Sequence, residues 1–170
     1  MDIKKKLDKY IKSYLEIPKL KIGLFRNAKS VFQEEKMYES SSCGSMEGSS
    51  INNYIENNIN DDRFQKLLFS FIDDKKLKDS DVYNKVNIDR RLFSKIRNDN
   101  YHPSKDTIIL LGLSLELDEN QIEKLLDSAS YSLPKNNNRD LIIRFCFIEH
   151  IYNPIQVNEF LDSYNCSLLN

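Results

Sequence analysis

The sequence predicts an all-α protein, and three observations carry that reading. Glycine and proline number only four each in 170 residues, so helices can run without the breakers that a turn-rich β fold needs. Apolar residues recur at three- and four-residue intervals along most of the chain. Residues that favour helix N-termini, chiefly Asp and Ser, stand just ahead of several of these periodic stretches.

Residues 2–16 read as one amphipathic helix. Ile3, Leu7, Tyr10, Ile11, Tyr14 and Leu15 fall on one face, lysines lie on the other, and Pro18 ends it. Lys21 to Phe25 reads as a short strand or an extended arm, and Val31 to Met37 as a further short helix. Between Glu39 and Ser50, six of twelve residues are serine and two are glycine. Such a stretch buries too little apolar surface to offset its ordering entropy, so it reads as a linker. Residues 52–60 are rich in asparagine, a poor helix-interior residue. The expected organisation is an N-terminal helical segment (1–38), a Ser/Asn-rich linker (39–60) and a helical domain (61–170).

In that last region the signals are regular. Asp61 or Asp62 is expected to cap a helix carrying Phe64, Leu67, Leu68, Phe71 and Ile72 inward. Asp79 or Ser80 caps a short second helix with Val82, Tyr83 and Val86, and Asn87-Ile88 forms a tight turn. Asp89 caps a third helix with Leu92, Phe93 and Ile96 inward, stopped by Asn98-Asp99-Asn100. Ser104, after Pro103, caps a fourth with Ile108, Leu111 and Leu115. Asp118 with Gln121 forms a capping box for a fifth, carrying Ile122, Leu125 and Leu126. Pro134 and Asn136 to Asn138 interrupt. Two further helices follow, about 139–151 and about 154–163, the second with Pro154 at its first position.

Composition narrows the function classes. Apolar residues are 40% and charged residues 30%, the balance of a globular protein with a core. No stretch approaches the ~18 apolar residues of a membrane span, and the basic start lacks the apolar run of a signal peptide. Three widely spaced cysteines, Cys43, Cys146 and Cys166, read as free thiols in a reducing cytoplasm. Cys146 and His150, four apart, lack the further ligands a metal needs. Cys43 has no neighbouring histidine to activate it, and no glycine-rich phosphate loop is present. Neither metal nor cofactor is expected, and no constellation points to an enzyme. Asp61-Asp62 and Asp73-Asp74 read as caps and exposed charge. The net charge of −1 averages over a gradient: residues 75–105 carry nine Lys/Arg against four Asp/Glu, while residues 106–170 carry four against ten. A basic stretch in a near-neutral chain is either an electrostatic footprint for nucleic acid or a solvated helix face.

The informative motif is Ser80 to Arg97: a short helix, a turn at Asn87, apolar Ile88, a cap at Asp89, then a second helix. Asparagine tolerates the left-handed backbone where two helices meet steeply. Ile88, Phe93 and Ile96 lock the second helix across the first, leaving Arg90, Arg91, Ser94, Lys95 and Arg97 on outer faces. From about Phe64 to Leu126 the chain resembles the phage-repressor (Cro/cI, XRE-like) helix-turn-helix family. The resemblance rests on Ile88-Asp89-Arg90-Arg91, on Phe93-Ser94-Lys95-Ile96, on the Tyr101-His102-Pro103-Ser104 loop and on the leucine-small-leucine helix from Leu110 to the turn at Asp118. Tyr83 stands where the family has alanine, so the helices pack more loosely or the ring points outward. Asn87 stands where the family has glycine.

That resemblance implies a five-helix repressor-like domain with two extra C-terminal helices. It implies double-stranded DNA as partner, with the third helix in the major groove. Arg90 and Arg91 would reach base edges, Ser94 and Lys95 bases or phosphates, and Ser80 and Lys105 phosphates, with Arg97 also counted among the DNA-binding residues. His102, in the loop, is a weaker candidate for phosphate. A small bacterial or phage-type regulator is the first reading, working as a homodimer through the N-terminal helix or the C-terminal helices. The second is a helical interaction module that binds a protein partner in a bacterial signalling or defence system, without DNA. It is motivated by the weak net charge, the acidic region 106–170 and Tyr83.

Overall fold

The stretch 105–114, Lys-Asp-Thr-Ile-Ile-Leu-Leu-Gly-Leu-Ser, is apolar on every side after its first turn, and a helix of that kind has to be enclosed. In the computed structural model, which describes residues 2–15, 64–98 and 101–170, every residue from Thr107 to Ser114 is buried. The described residues form eight helices and no strand: α1 (Ile3–Leu15), α2 (Phe64–Asp74), α3 (Asp79–Lys85), α4 (Arg90–Ile96), α5 (Lys105–Ser114), α6 (Glu119–Asp127), α7 (Asn138–Ile148) and α8 (Pro154–Ser163). Helix α5 packs on α3 and α6, α6 also on α2 and α7, and α7 on α1 and α8. Gly112 lets these helices approach, since a Cβ there would stand 2.5 Å from Ile122 Cδ1 and 3.3 Å from Phe147 Cζ.

Local chemistry sets most helix starts. Asp89 accepts from Arg91 N, Ser104 from Thr107 N, and Asp118 and Gln121 complete a reciprocal capping box. Asn137 and Asn153 cap α7 and α8, with Pro154 in the first turn of α8. Helix α3 departs from expectation. It begins at Asp79, its N-cap is extended Lys78, and no side chain caps it; Asp79 is drawn instead to a partner on α4, described below. The proposed cap at Asp61 or Asp62, the 17–38 elements and the 39–60 linker lie outside the described residues.

Helix ends follow one pattern without glycine. Lys76, Asn87, Glu116, Ser130, His150 and Asn165 all have positive φ, between 49° and 59°. In each case that residue's N–H bonds three residues back, and the next residue's N–H bonds five residues back, as in Ile88 to Tyr83 (2.9 Å) and Leu117 to Gly112 (3.1 Å). These are Schellman ends, normally built on glycine. The residue after each turn (Leu77, Ile88, Leu117, Tyr131, Ile151 or Cys166) is in every case apolar, aromatic or thiol-bearing.

The apolar stripe of the N-terminal helix allows three readings, packing on the C-terminal domain, a dimer or partner seam (the preferred one) or an anionic surface, and in the structure α1 shares one compact unit with residues 62–170. Leu7 and Ile11 are buried, and Tyr10 packs its ring on Phe145 of α7 at 5.4 Å. Lys6 pairs with Glu149, and the Tyr164 hydroxyl donates to Asp8. Burial and the bond to Asp8 push the Tyr164 phenol up to about 12. Leu7 and Ile11 of the stripe are thus covered from within the chain, while Leu15 at its end is exposed.

Candidate nucleic-acid interface

Helices α3 and α4 are too short to stand alone, and the turn between them depends on a few buried anchors. Val82 is fully buried, and its carbonyl accepts from the buried Ser114 hydroxyl of α5 (2.6 Å). Asn87 takes the left-handed conformation (φ 54°) expected of it, and Ile88 is buried directly after it. Phe93 and Ile96 hold α4 to the body. Tyr83, half-buried, lays its ring against Phe93 at 5.5 Å, and Phe69 meets the same ring edge-on at 6.2 Å. Tyr83 thus joins α3 to α4 through an aromatic stack.

That stack floors a groove of about 640 Å³, lined at its rim by Lys78, Ser80, Arg90, Ser94 and Arg97, with Asp73 and Asp79 among them. Four of the seven site residues expected from sequence, Ser80, Arg90, Ser94 and Arg97, therefore meet around one concave surface. Arg91 and Lys95 are exposed on α4 but do not line it. Lys78 was missed, although it directly precedes α3. Asp79 was read as a cap, and its separation of 18 residues from its real partner leaves no local signal.

The cations differ in how they are occupied. Among the described residues, Arg90, Arg91 and Lys95 form no ion pair. Arg97 pairs with Asp79, its Nε donating to Oδ2 at 3.1 Å, and its guanidinium lies 4.5 Å from the centroid of the Phe69 ring. Lys105, expected on phosphate, instead pairs with buried Asp140 at 2.6 Å. The reason is the neighbouring helix start, where Asp140 also accepts from Asn137 Nδ2 (2.8 Å). His102 likewise turns inward, with Nε2 2.9 Å from the Ala129 carbonyl oxygen and its ring against Tyr131. Lys85 is held by Glu116 at 2.5 Å, and that bond keeps the Glu116 carboxyl below its ordinary pKa.

Elsewhere the side chains offer little chemistry. Cys146 is fully buried, and burial pushes its thiol up to about 12, which leaves it protonated and inert. His150 sits past the end of α7 against Tyr152, so the pair shares no site. Among the described residues no group of three His, Cys, Asp or Glu is placed to hold a metal. Also among them, no helix is long and apolar enough to cross a membrane. No family model, curated protein or solved structure matches the chain.

Proposed function

We propose that this chain is a DNA-binding protein of the repressor-like helix-turn-helix class, a small transcription regulator with α4 as its recognition helix. One observation carries the reading: α4 presents Arg90, Arg91 and Lys95 to solvent with no ion pair among the described residues, while Lys85, Lys105, Arg139 and Arg144 on the body are engaged by carboxylates. Free guanidinium groups near a recognition-helix N-terminus suit guanine edges, each contact being worth ~1–3 kcal/mol of discrimination. The left-handed Asn87 and the Asp89 cap support the helix-turn-helix assignment. Two copies on half-sites ~34 Å apart would supply the phosphate contacts one module lacks.

Fluorescence anisotropy with random-sequence duplex, from low to moderate salt, tests the proposal. Binding that weakens steeply with salt and drops in Arg90→Ala/Arg91→Ala supports it; flat anisotropy at low salt removes it.

A second reading, a protein-interaction module, is favoured by a different feature. On the other side of the turn a cleft of about 330 Å³ is lined by Val86, Ile88, Leu92, Leu110 and Ile155. Ile155 there is 72% exposed. If this reading holds, Arg90→Glu/Arg91→Glu leaves partner binding intact and Ile155→Asp removes it.

A further inference from the structure

Arg97 sits at the rim of the recognition groove but is already occupied. Its Nε and Nη2 both donate to a single oxygen, Oδ2 of Asp79, across 18 residues of sequence. Two of its five N–H groups are therefore spent, and Nη1 makes no hydrogen bond among the described residues. The Phe69 ring lies beneath the guanidinium, its centroid 4.5 Å from Cζ. Both partners remain open to solvent, with side chains 55% and 35% exposed. Lys78 and Arg90 line the same groove. Two carboxylates, Asp73 and Asp79, thus stand among three cations at the place where an anionic ligand would be held, and Asp79 is the one bonded to Arg97.

Arginine binds carboxylate and phosphate through the same fork of donors. An exposed ion pair is worth only ~0–1 kcal/mol, so exchanging one anion for the other costs little. We infer that the Arg97 guanidinium is a phosphodiester-binding group and that Asp79 is its internal stand-in, displaced when the backbone of a duplex arrives. This rests on the DNA-binding reading proposed above. It adds that the face holds part of its own affinity in check.

The test is a double-mutant cycle, with wild type, Asp79→Asn, Arg97→Gln and the double variant titrated with random-sequence duplex across a salt series. Asp79→Asn is expected to tighten binding roughly three- to tenfold, through lost competition and one less repelling charge. Arg97→Gln is expected to weaken it about tenfold and to flatten the log–log salt slope by about one. The gain from Asp79→Asn should vanish in the Arg97→Gln background. A gain of equal size in both backgrounds means a general charge effect and overturns the inference, as does no gain at all. If wild type binds but the cycle shows no coupling, this inference alone falls. If none of the four chains binds at low salt, the DNA-binding proposal falls with it. Binding by Asp79→Asn where wild type fails upholds the displacement in its strongest form. The wild-type chain provides a check that no loss of folding can mimic: the Arg97 Nε–H resonance should shift on adding duplex, and an unmoved resonance overturns the assignment.

Discussion

The cations of α4 and those at the α5–α7 junction are the same residue types in different employment. At the junction, Lys105 meets Asp140, Arg139 meets Asp106 at 2.8 Å, and Arg139 also donates to the Ser167 carbonyl at 3.0 Å. Between α6 and α7, Arg144 is held most tightly. Only 7% exposed, it bonds Glu119 at 2.7 Å, Glu123, and the Leu133 carbonyl at 2.8 Å. Burial alone pulls Arg144 toward deprotonation, and its bonds to Glu119 and Glu123 more than offset this, so its pKa is raised. On α4 the guanidinium groups of Arg90 and Arg91 meet water. The difference teaches that a basic residue is read correctly only with its partners in view: charge at the junction joins helices, and Arg90 and Arg91 on α4 stand exposed with no ion pair among the described residues.

The sharpest way to break the comparison is to remove one cation from each side. Arg144→Ala should lower unfolding free energy by about 3 kcal/mol, discounted from the upper range for buried pairs because Glu119 and Glu123 remain half-exposed; urea titration reads this directly. Arg90→Ala and Arg91→Ala should each cost ~1–3 kcal/mol in DNA affinity while moving stability by less than about 0.5 kcal/mol. Equal destabilisation by all three would erase the distinction. Packing sharpens it further: Gly112→Val, forced against Ile122 and Phe147, should cost about 1–3 kcal/mol without altering α4.

A smaller effect, of opposite sign, is expected at a helix end. Ser130→Gly relieves a left-handed residue and should stabilise by about 1 kcal/mol, seen as a rise in Tm. The smallest expected effect is electrostatic. Because Lys85 lowers the Glu116 pKa, that pair contributes its stabilisation at pH above the ordinary glutamate value and loses it as pH falls through the lowered one. Carbon-detected NMR titration of Glu116 in wild type and Lys85→Met checks the direction.

What the sequence disclosed was what acts locally. Caps at Asp89, Ser104 and Asp118 bond two or three residues ahead, so their types and spacing announce them. The helix 154–163 was legible to the residue because Pro154 marks its start. The inward faces of α4 and α6 followed from periodicity alone. The pairings that assign roles to charges were hidden, since Lys105 and Asp140 lie 35 residues apart and Arg97 and Asp79 lie 18 apart. Five of the six left-handed helix ends were silent too. Glycine is their usual signal, and Lys76, Glu116, Ser130, His150 and Asn165 carry none; only Asn87 was read. The aromatic stack of Tyr83 on Phe93 shows the same limit, because its partner ring comes from the neighbouring helix.

The docking of α1 has a consequence in time. Lys6 and Glu149 are 143 residues apart, and Asp8 and Tyr164 are 156 apart. At a synthesis rate of ~5–20 residues per second, the stripe of Leu7 and Ile11 leaves the ribosome roughly 7 to 30 seconds before the helix that covers it. Until then Leu7 and Ile11 lack the cover that α7 gives them in the folded chain. The lysines on the other face of α1 keep that segment charged until α7 and α8 are made.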